Sequence, residues 1–495
     1  MTRHRARLIN DANRKWWTLG AMCFALFMIM LDNSVVNVAL PSIQRDLGAS
    51  ISSLEWTING YTLSFAVLLA TGGRLGDIFG RRRMFIGGVV LFTLSSATAG
   101  FAPDTLSLVA SRVAQGVGAA FMMPGTLSII TDAFPAEERG KAIGTWAGVS
   151  ALALAIGPLL GGFLTEHVGW EAIFFINVPV GAGAVLAALF AVRESRDETV
   201  GRKVDYAGVA ALTAGLTALV LALVEGNSWG WGSPEILALI GGSIALLAVF
   251  AAVERRVRAP MVEFGLFASR NFIGAVSVAF IVTFAMLGMF FFLALYMQNI
   301  LGYTPLEAGV RFLPTTLMVM AVAPVAGRLA DRIGPRWPIV AGLSLTTVSL
   351  FLFTQIDDGT TFSDLLPAFV LMGIGVALTM SPMSTAAMNA VPVAKAGIAS
   401  GLLSMSRMVG GTFGVAAIGA LFQSEAGSAL APSRDAFITA LSDAMWLSTA
   451  VAALGVIIGL TLIESRKPER TPLEGEPAAA APTPAAEMAA AHADG

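Results

Sequence analysis

The sequence predicts an all-α polytopic membrane protein with fourteen transmembrane helices, two six-helix bundles plus two inserted central helices, and both termini cytoplasmic. Three observations predict it. First, 56% of the 495 residues are hydrophobic and only 13% charged, whereas a water-facing surface takes roughly 25% charged residues. Second, apolar runs long enough to cross a bilayer recur along the chain, and the mean hydropathy is +0.74. Third, lysine and arginine fall in alternate connections between those runs.

Taken in order, the runs are about 17–40, 54–73, 84–102, 105–130, 142–164 and 170–192, then 206–225 and 235–253, then 272–300, 306–327, 337–355, 364–387, 397–422 and 438–463. The middle pair decides the parity. The first run is not expected to be a cleaved signal, because it is too long for that role and contains Asp32. The tail from Glu464, rich in Ala, Pro and Glu, has little to bury and is expected to be disordered.

With the N-terminus inside, the cytoplasmic segments hold Arg3, Arg5, Arg7, Arg14 and Lys15, then Arg74 and Arg81 to Arg83, then Arg139 and Lys141. Arg193, Arg196, Arg202, Lys203, Arg255, Arg256, Arg258 and Arg270 follow, and Arg328, Arg332, Arg336, Lys395, Arg466, Lys467 and Arg470 complete that side. The outer loops keep Arg45 and Arg434. This asymmetry requires an even number of spans with both ends inside. Trp16, Trp17, Trp56, Trp170 and Trp337 fall at predicted helix ends, as an aromatic belt requires.

GRLGDIFGRRR at 73–83 returns as GRLADRIGPR at 327–336, each time between the second and third helix of a half. Seven of the first eight positions match when Gly76/Ala330 and Phe79/Ile333 count as similar. The expected units are 1–192, a six-helix bundle; 193–270, linkers with the inserted helix pair; 271–463, a second six-helix bundle; and 464–495, the tail. Parallel repeats of this kind place a substrate path between the halves near the midplane.

The chain resembles the major facilitator superfamily, and within it the fourteen-helix drug:proton antiporters of the QacA/EmrB type. LDNSVVNVALP at 31–41, GRLGDIFGRRR at 73–83, RVAQGVGAA at 112–120, GPLLGG at 157–162 and SRMVGGTFGVA at 406–416 carry the resemblance, which covers all but the two tails.

Asp32 is the most informative residue. A charge near the bilayer centre costs about 2.5–3.5 kcal/mol on insertion scales, so such a residue points to function. At 1.5 Å per residue from Thr18, Asp32 lies roughly 21 Å into a ~30 Å core. Two roles fit: a proton carrier, or a local partner for Asn33, Ser34 or Asn37. The resemblance implies proton coupling. Arg112 enters from the outer face and reaches nearly the same depth, with Gln115 as a neutral polar partner. An arginine does not give up its proton, so it modulates a carboxylate or binds water and anions; snorkelling to the outer headgroups is its other role. The resemblance implies a functional arginine at this position.

Gly157, Pro158, Gly161 and Gly162 give the fifth helix a small-residue stripe with a bendable point. The resemblance associates this pattern with antiporters. Gly73, Asp77, Gly80, Arg81 and Arg82 form the turn after helix two, which fixes topology and, by the resemblance, latches one access state. Its second copy has Pro335 at the place of Arg81. Asn33, Asn37, Gln115, Arg407, Met286 and Phe290 are the expected substrate-pathway residues. Arg311 reads as structural, and Glu55, Glu225 and Glu307 read as solvated at outer helix ends.

The exclusions are equally physical. One cysteine, Cys23, allows no internal disulfide, His4, His167 and His492 are too scattered for a metal site, and no GxxxxGK[ST] loop is present to bind ATP phosphates. The expectation is therefore secondary transport without metal or cofactor, driven by an ion gradient, which the resemblance implies is the proton gradient. Hydrophobic or amphipathic small molecules such as drugs leave as protons enter; nucleic acid is no partner, the bilayer is the solvent, and a monomer suffices. A substrate-specific exporter or symporter, and a non-transporting receptor, share this composition.

Overall fold

The computed structural model describes residues 13–196, 205–257, 262, 264–391, 396–426 and 433–464. Arg3, Arg5, Arg7, Arg202, Lys203, Arg258, Lys395, Arg466, Lys467 and Arg470 lie outside the described residues, as do His4, His492 and the tail beyond Glu464.

The helices run in chain order as α1 (Arg14–Leu47), α2 (Ile51–Phe79), α3 (Arg81–Gly100), α4 (Thr105–Ala133), α5 (Ala136–His167) and α6 (Ala172–Ala191). Next come α7 (Tyr206–Trp229) and α8 (Pro234–Glu254), packed on each other. α9 (Arg270–Ile300), α10 (Pro305–Ile333), α11 (Arg336–Phe353), α12 (Phe362–Asn389), α13 (Ala396–Ala426) and α14 (Arg434–Leu462) complete the order. Twelve are long and apolar enough to cross a membrane as they stand. The other two, α2 and α5, are bent by 52° and 41° and bring the total to fourteen as one span each. In α5 the bend separates Leu154 from Ile156; Pro158 lacks the N–H that would have bonded back to Leu154.

Of the seven helices that start at the end away from the arginine-rich turns, all but α6, which has no side-chain cap, begin on polar caps. Ser50, Asp104, Ser233, Thr304, Thr361 and Ser433 are the N-caps of α2, α4, α8, α10, α12 and α14. At Ser50, Asp104, Ser233, Thr304 and Ser433 the hydroxyl or carboxylate accepts a backbone N–H that has no partner within its own helix, and at Thr361 the Asp364 carboxylate accepts the Thr361 N–H. Short capped turns hold neighbouring helices antiparallel.

The repeat is visible as geometry. Gly80 and Gly334 both break the chain with positive φ, +112° and +83°, a conformation that a side chain resists. Eight residues on, Gly88 and Gly342 let α3 and α11 touch backbone on α4 and α12: a Cβ on Gly88 would sit 2.8 Å from the Gly118 carbonyl oxygen, and one on Gly342 2.6 Å from that of Gly375. Arg82 donates to the Leu189 carbonyl at 2.7 Å, and Arg336 to the Leu460 carbonyl at 2.5 Å.

Polar contacts between the two groups of helices gather at the capped end. There Gln298 Nε2 donates to the Val38 carbonyl (2.7 Å), Asn299 to Gln44 Oε1 (3.3 Å), and the Leu306 N–H to Glu166 Oε2 (3.0 Å). Deeper in, the Thr62 and Thr412 hydroxyls lie 2.8 Å apart. At the arginine-rich end Lys141, Gly144, Gly148, Val325, Arg328, Ile398 and Ser400 are exposed on α5, α10 and α13.

Two expectations need correction. Trp170 does not join an interfacial belt; it is 3% exposed and packs edge-on against Phe174 at 6.2 Å. Trp16, Trp17 and Trp337 do stand out into the surroundings. Glu55 is not solvated but wholly buried, because α13 crosses its face of α2. Glu225 is half-buried, and Glu307 is exposed in the capping box of α10.

Candidate functional site

The deepest charges in the first bundle meet. Asp32 on α1 is 1% exposed and Arg112 on α4 is 2% exposed, and the Arg112 Nη1 lies 2.5 Å from Asp32 Oδ2. A pair this well withdrawn from water holds only if its remaining donors and acceptors are filled. They are filled from three helices, and a fourth holds one of the donors. Gln115 Nε2 donates to Asp32 Oδ1 (3.1 Å), and its Oε1 accepts from Arg112 Nη1 (2.7 Å). Asn177 on α6 donates to the same Asp32 oxygen (3.3 Å) and to Ser96 Oγ on α3 (3.0 Å). Arg112 Nε donates to the Thr57 carbonyl on α2 at 3.0 Å, and its guanidinium lies 4.4 Å from the centre of the Tyr61 ring.

Helix geometry brings this about. Arg112 and Gln115 are three residues apart and so share one face of α4. Gly116 beside them lets that face approach Tyr61 and Ser64 of α2 so closely that a Cβ would collide with both.

Asn33 and Asn37 do not touch Asp32. Asn33 Nδ2 donates to the Ile29 carbonyl (2.9 Å) and to Tyr61 Oη (3.4 Å), and Asn37 Nδ2 to the Asn33 carbonyl (3.1 Å). The local-partner role for Asp32 is thus not the arrangement found. Asn177, Ser96 and Tyr61 were missed in the sequence, although Asn177 is the polar break in the apolar stretch FFINVP.

The small-residue stripe of α5 faces two ways. A Cβ on Gly157 would collide with the Ser34 side chain, and one on Gly161 would lie 2.8 Å from the Val35 carbonyl oxygen. Both contacts are on α1, immediately after Asp32. Gly162 instead faces α10, where a Cβ would lie 2.5 Å from the Pro305 carbonyl oxygen, and Gly309 of α10 meets Pro158 just as closely. α5 therefore touches the helix that bears the acid and, with the same motif, the other half.

At the arginine-rich turn Asp77 Oδ1 accepts from Arg81 Nε (3.0 Å) and Nη2 (2.9 Å). The Arg81 N–H donates to the Ser195 carbonyl (3.0 Å), and the Arg82 N–H to Glu194 Oε1 (3.1 Å). Gly73 lies against Pro124 of α4. These ties lie within the first half or bind it to residues 194 and 195, just past its last helix. In the second copy Asp331 and Arg332 are exposed.

Among the described residues Arg407 on α13 meets no carboxylate; its Nη2 donates to Ser404 Oγ at 3.2 Å and its Nε is buried without a hydrogen-bond partner. Arg311 stacks over Tyr303 at 3.6 Å and donates to the Glu307 carbonyl, a structural post. Phe290 stacks on Phe312 at 4.7 Å, and both it and Met286 are half-buried against the core of the second half. The second half carries Phe369 on α12 at the place of Arg112, four and six residues before Gly373 and Gly375, which repeat the close approaches of Gly116 and Gly118. The buried charge pair belongs to one half.

Residues 22–415 match the family model described as Major Facilitator Superfamily. Among curated relatives, the Tetracenomycin C resistance and export protein of Streptomyces glaucescens is 37% identical over 84% of this chain and 77% of its own length. The puromycin resistance protein pur8 of Streptomyces alboniger is 37% identical over 95% of both chains. The cephamycin export protein CmcT of Amycolatopsis lactamdurans is 36% identical over 80% of this chain and 82% of its own. Among solved structures, an inward-facing, unoccupied bacterial homologue of the human lysosomal transporter Spinster superposes with a TM-score of 0.64 at 18% identity, covering 91% of this chain and 98% of that one, which shows the shared fold.

Proposed function

The chain belongs to the major facilitator superfamily and is a multi-pass transporter of the cell membrane; on that premise we propose that it exports hydrophobic or amphipathic small molecules, antibiotics among them, in exchange for protons. The named relatives support export of such compounds. The positive charge distribution supports a cytoplasmic position for the arginine-rich end, which makes the arrangement closed to the outside.

One observation carries the proton side of the reading: Asp32 is the acid of a buried ion pair with Arg112. A proton arriving on Asp32 removes its charge and frees a guanidinium that must then find another partner. Such a release is a discrete event that can bias the packing of α1, α4 and α6. A membrane potential of 100 mV adds about 2.3 kcal/mol per charge moved, over tenfold in gradient. No cofactor is needed beyond the proton gradient, and one copy of the chain holds the whole pathway.

The test is efflux from everted vesicles or proteoliposomes with an imposed pH gradient, using a panel of fluorescent amphipathic dyes and antibiotics. The wild type concentrates substrate against its gradient; Asp32→Asn inserts but loses the gradient-driven component. Normal driven efflux by Asp32→Asn would remove the acid from the mechanism. Movement of a single compound from the panel would mark a dedicated exporter.

A further inference from the structure

A second carboxylate is buried where the halves meet. Glu55 on α2 has no solvent exposure. Its Oε1 accepts from Gln423 Nε2 of α13 at 2.9 Å, and Gln423 Oε1 accepts in turn from Ser52 Oγ at 3.3 Å. The other carboxylate oxygen, Oε2, is buried with no hydrogen-bond partner. Gly419 of α13 presses its backbone against the carboxyl so closely that a Cβ would collide with it.

Among the described residues the charges around it offer no counter-ion. From α7 comes Glu225, of the same sign. From α13 come the neutral groups Gln423 and Gly419. Arg112 touches α2 through the Thr57 carbonyl, two residues on, but its guanidinium is bound to Asp32. An ionised Glu55 here would be a buried charge with half its acceptors empty, which is among the costliest arrangements in a membrane. A protonated Glu55 keeps its bond to Gln423 and carries no charge.

A path for the proton adjoins it. A cavity of about 300 Å³ lies at the capped end, walled by Ser50, Ser52, Ser53, Glu225, Ser228 and Gln423. Ser52 and Gln423 thus belong both to the cavity wall and to the hydrogen-bonded group on Glu55. Separation of α2 from α13 opens Glu55 to that cavity and removes its Gln423 partner.

We propose that Glu55 is a second proton-carrying residue, protonated while the halves are joined at this end and ionised when they part, so that closure requires a proton from the outer side. Resting on the antiport reading above, it deepens that reading: an exporter that has released its cargo outside does not reset until it has taken up a proton there. Glutamine at this position would reproduce the tie to Gln423 without the titration, which separates a coupling role from a merely structural one.

The test is a distance measurement between spin labels at Arg45→Cys and Asn299→Cys, in a Cys23→Ser background, with the protein in lipid nanodiscs over a pH series. With Glu55 present, the closed-to-open ratio falls as pH rises, by up to about tenfold per unit, the limit for one coupled proton. Glu55→Gln stays closed and flat. The same contrast persists in Asp32→Asn/Arg112→Gln, which removes the other ion pair; if that double variant does not fold, the comparison of Glu55 with Glu55→Gln decides alone. A flat profile with Glu55 present, or a Glu55→Gln profile that follows it, overturns the proposal. Failure of gradient-driven efflux with an intact Glu55-dependent distance change would instead sink the antiport reading.

Discussion

Arg82 and Arg336 hold equivalent posts in the two halves, each tying the start of its helix to a carbonyl near the end of the last helix of its bundle, Leu189 in one case and Leu460 in the other. The tie survives in the second copy although Pro335 has replaced the residue corresponding to Arg81. A hydrogen bond from a charged donor contributes about 1.5–3 kcal/mol when well shielded and less at a half-open site. Arg82→Ala and Arg336→Ala are each expected to lower the melting temperature of the purified protein by a similar amount. An effect confined to one of them would show that the two turns are not mechanical equivalents.

Asp32 and Arg112 should behave as one unit in stability. Removing either partner leaves a buried charge uncompensated, at a cost of about 3–5 kcal/mol, whereas removing both charges costs much less. Asp32→Asn/Arg112→Gln is therefore expected to be more stable than Asp32→Asn alone, in a double-mutant cycle followed by thermal unfolding in detergent. Additive losses would mean that the two side chains do not sustain each other.

Arg112→Lys preserves the charge but not the fork. The guanidinium serves Thr57, Asp32 and Gln115 at once and lies over Tyr61, and a single ammonium cannot reproduce that planar set. Gradient-driven efflux by Arg112→Lys is expected to fall at least about tenfold, the weight of one lost charge-assisted hydrogen bond. Wild-type rates would reduce Arg112 to a bare positive charge.

Gly161→Val forces α5 away from α1, because even a Cβ stands 2.8 Å from the Val35 carbonyl. Overpacking of this kind costs about 1–3 kcal/mol, and the strain falls next to Asp32. The expected outcome is an inserted protein with reduced thermal stability and little transport. Gly144→Val, in the open part of the same helix, serves as the control and should leave both nearly unchanged.

Much of this architecture is legible in the sequence, because hydrocarbon thickness fixes helix length and the charge distribution fixes parity. α7 and α8 fall where the runs at 206–225 and 235–253 predict them, within a few residues. Depth is legible too: counting 1.5 Å per residue puts Asp32 and Arg112 in nearly the same layer. Contact is not, since depth says nothing about how each helix is rotated on its own axis, and rotation is set by packing against neighbours. For that reason Asn33 and Asn37, adjacent in sequence, turn to backbone carbonyls and Tyr61, while Asn177, remote in sequence, completes the acid's shell. Glu55 reads as solvated for a related reason. Its distance from the helix start suggests the headgroups, but the second half lies across it.

The two-faced stripe on α5 sets how the machine can be driven. The acid sits wholly within one bundle, and on the antiport reading a change at Asp32 has a contact route to the opposite bundle by way of Ser34 and Val35, then Gly157 and Gly161, then Gly162 and Gly309. Such a transmission tolerates wide variation in what is carried, because the gearing is independent of the load.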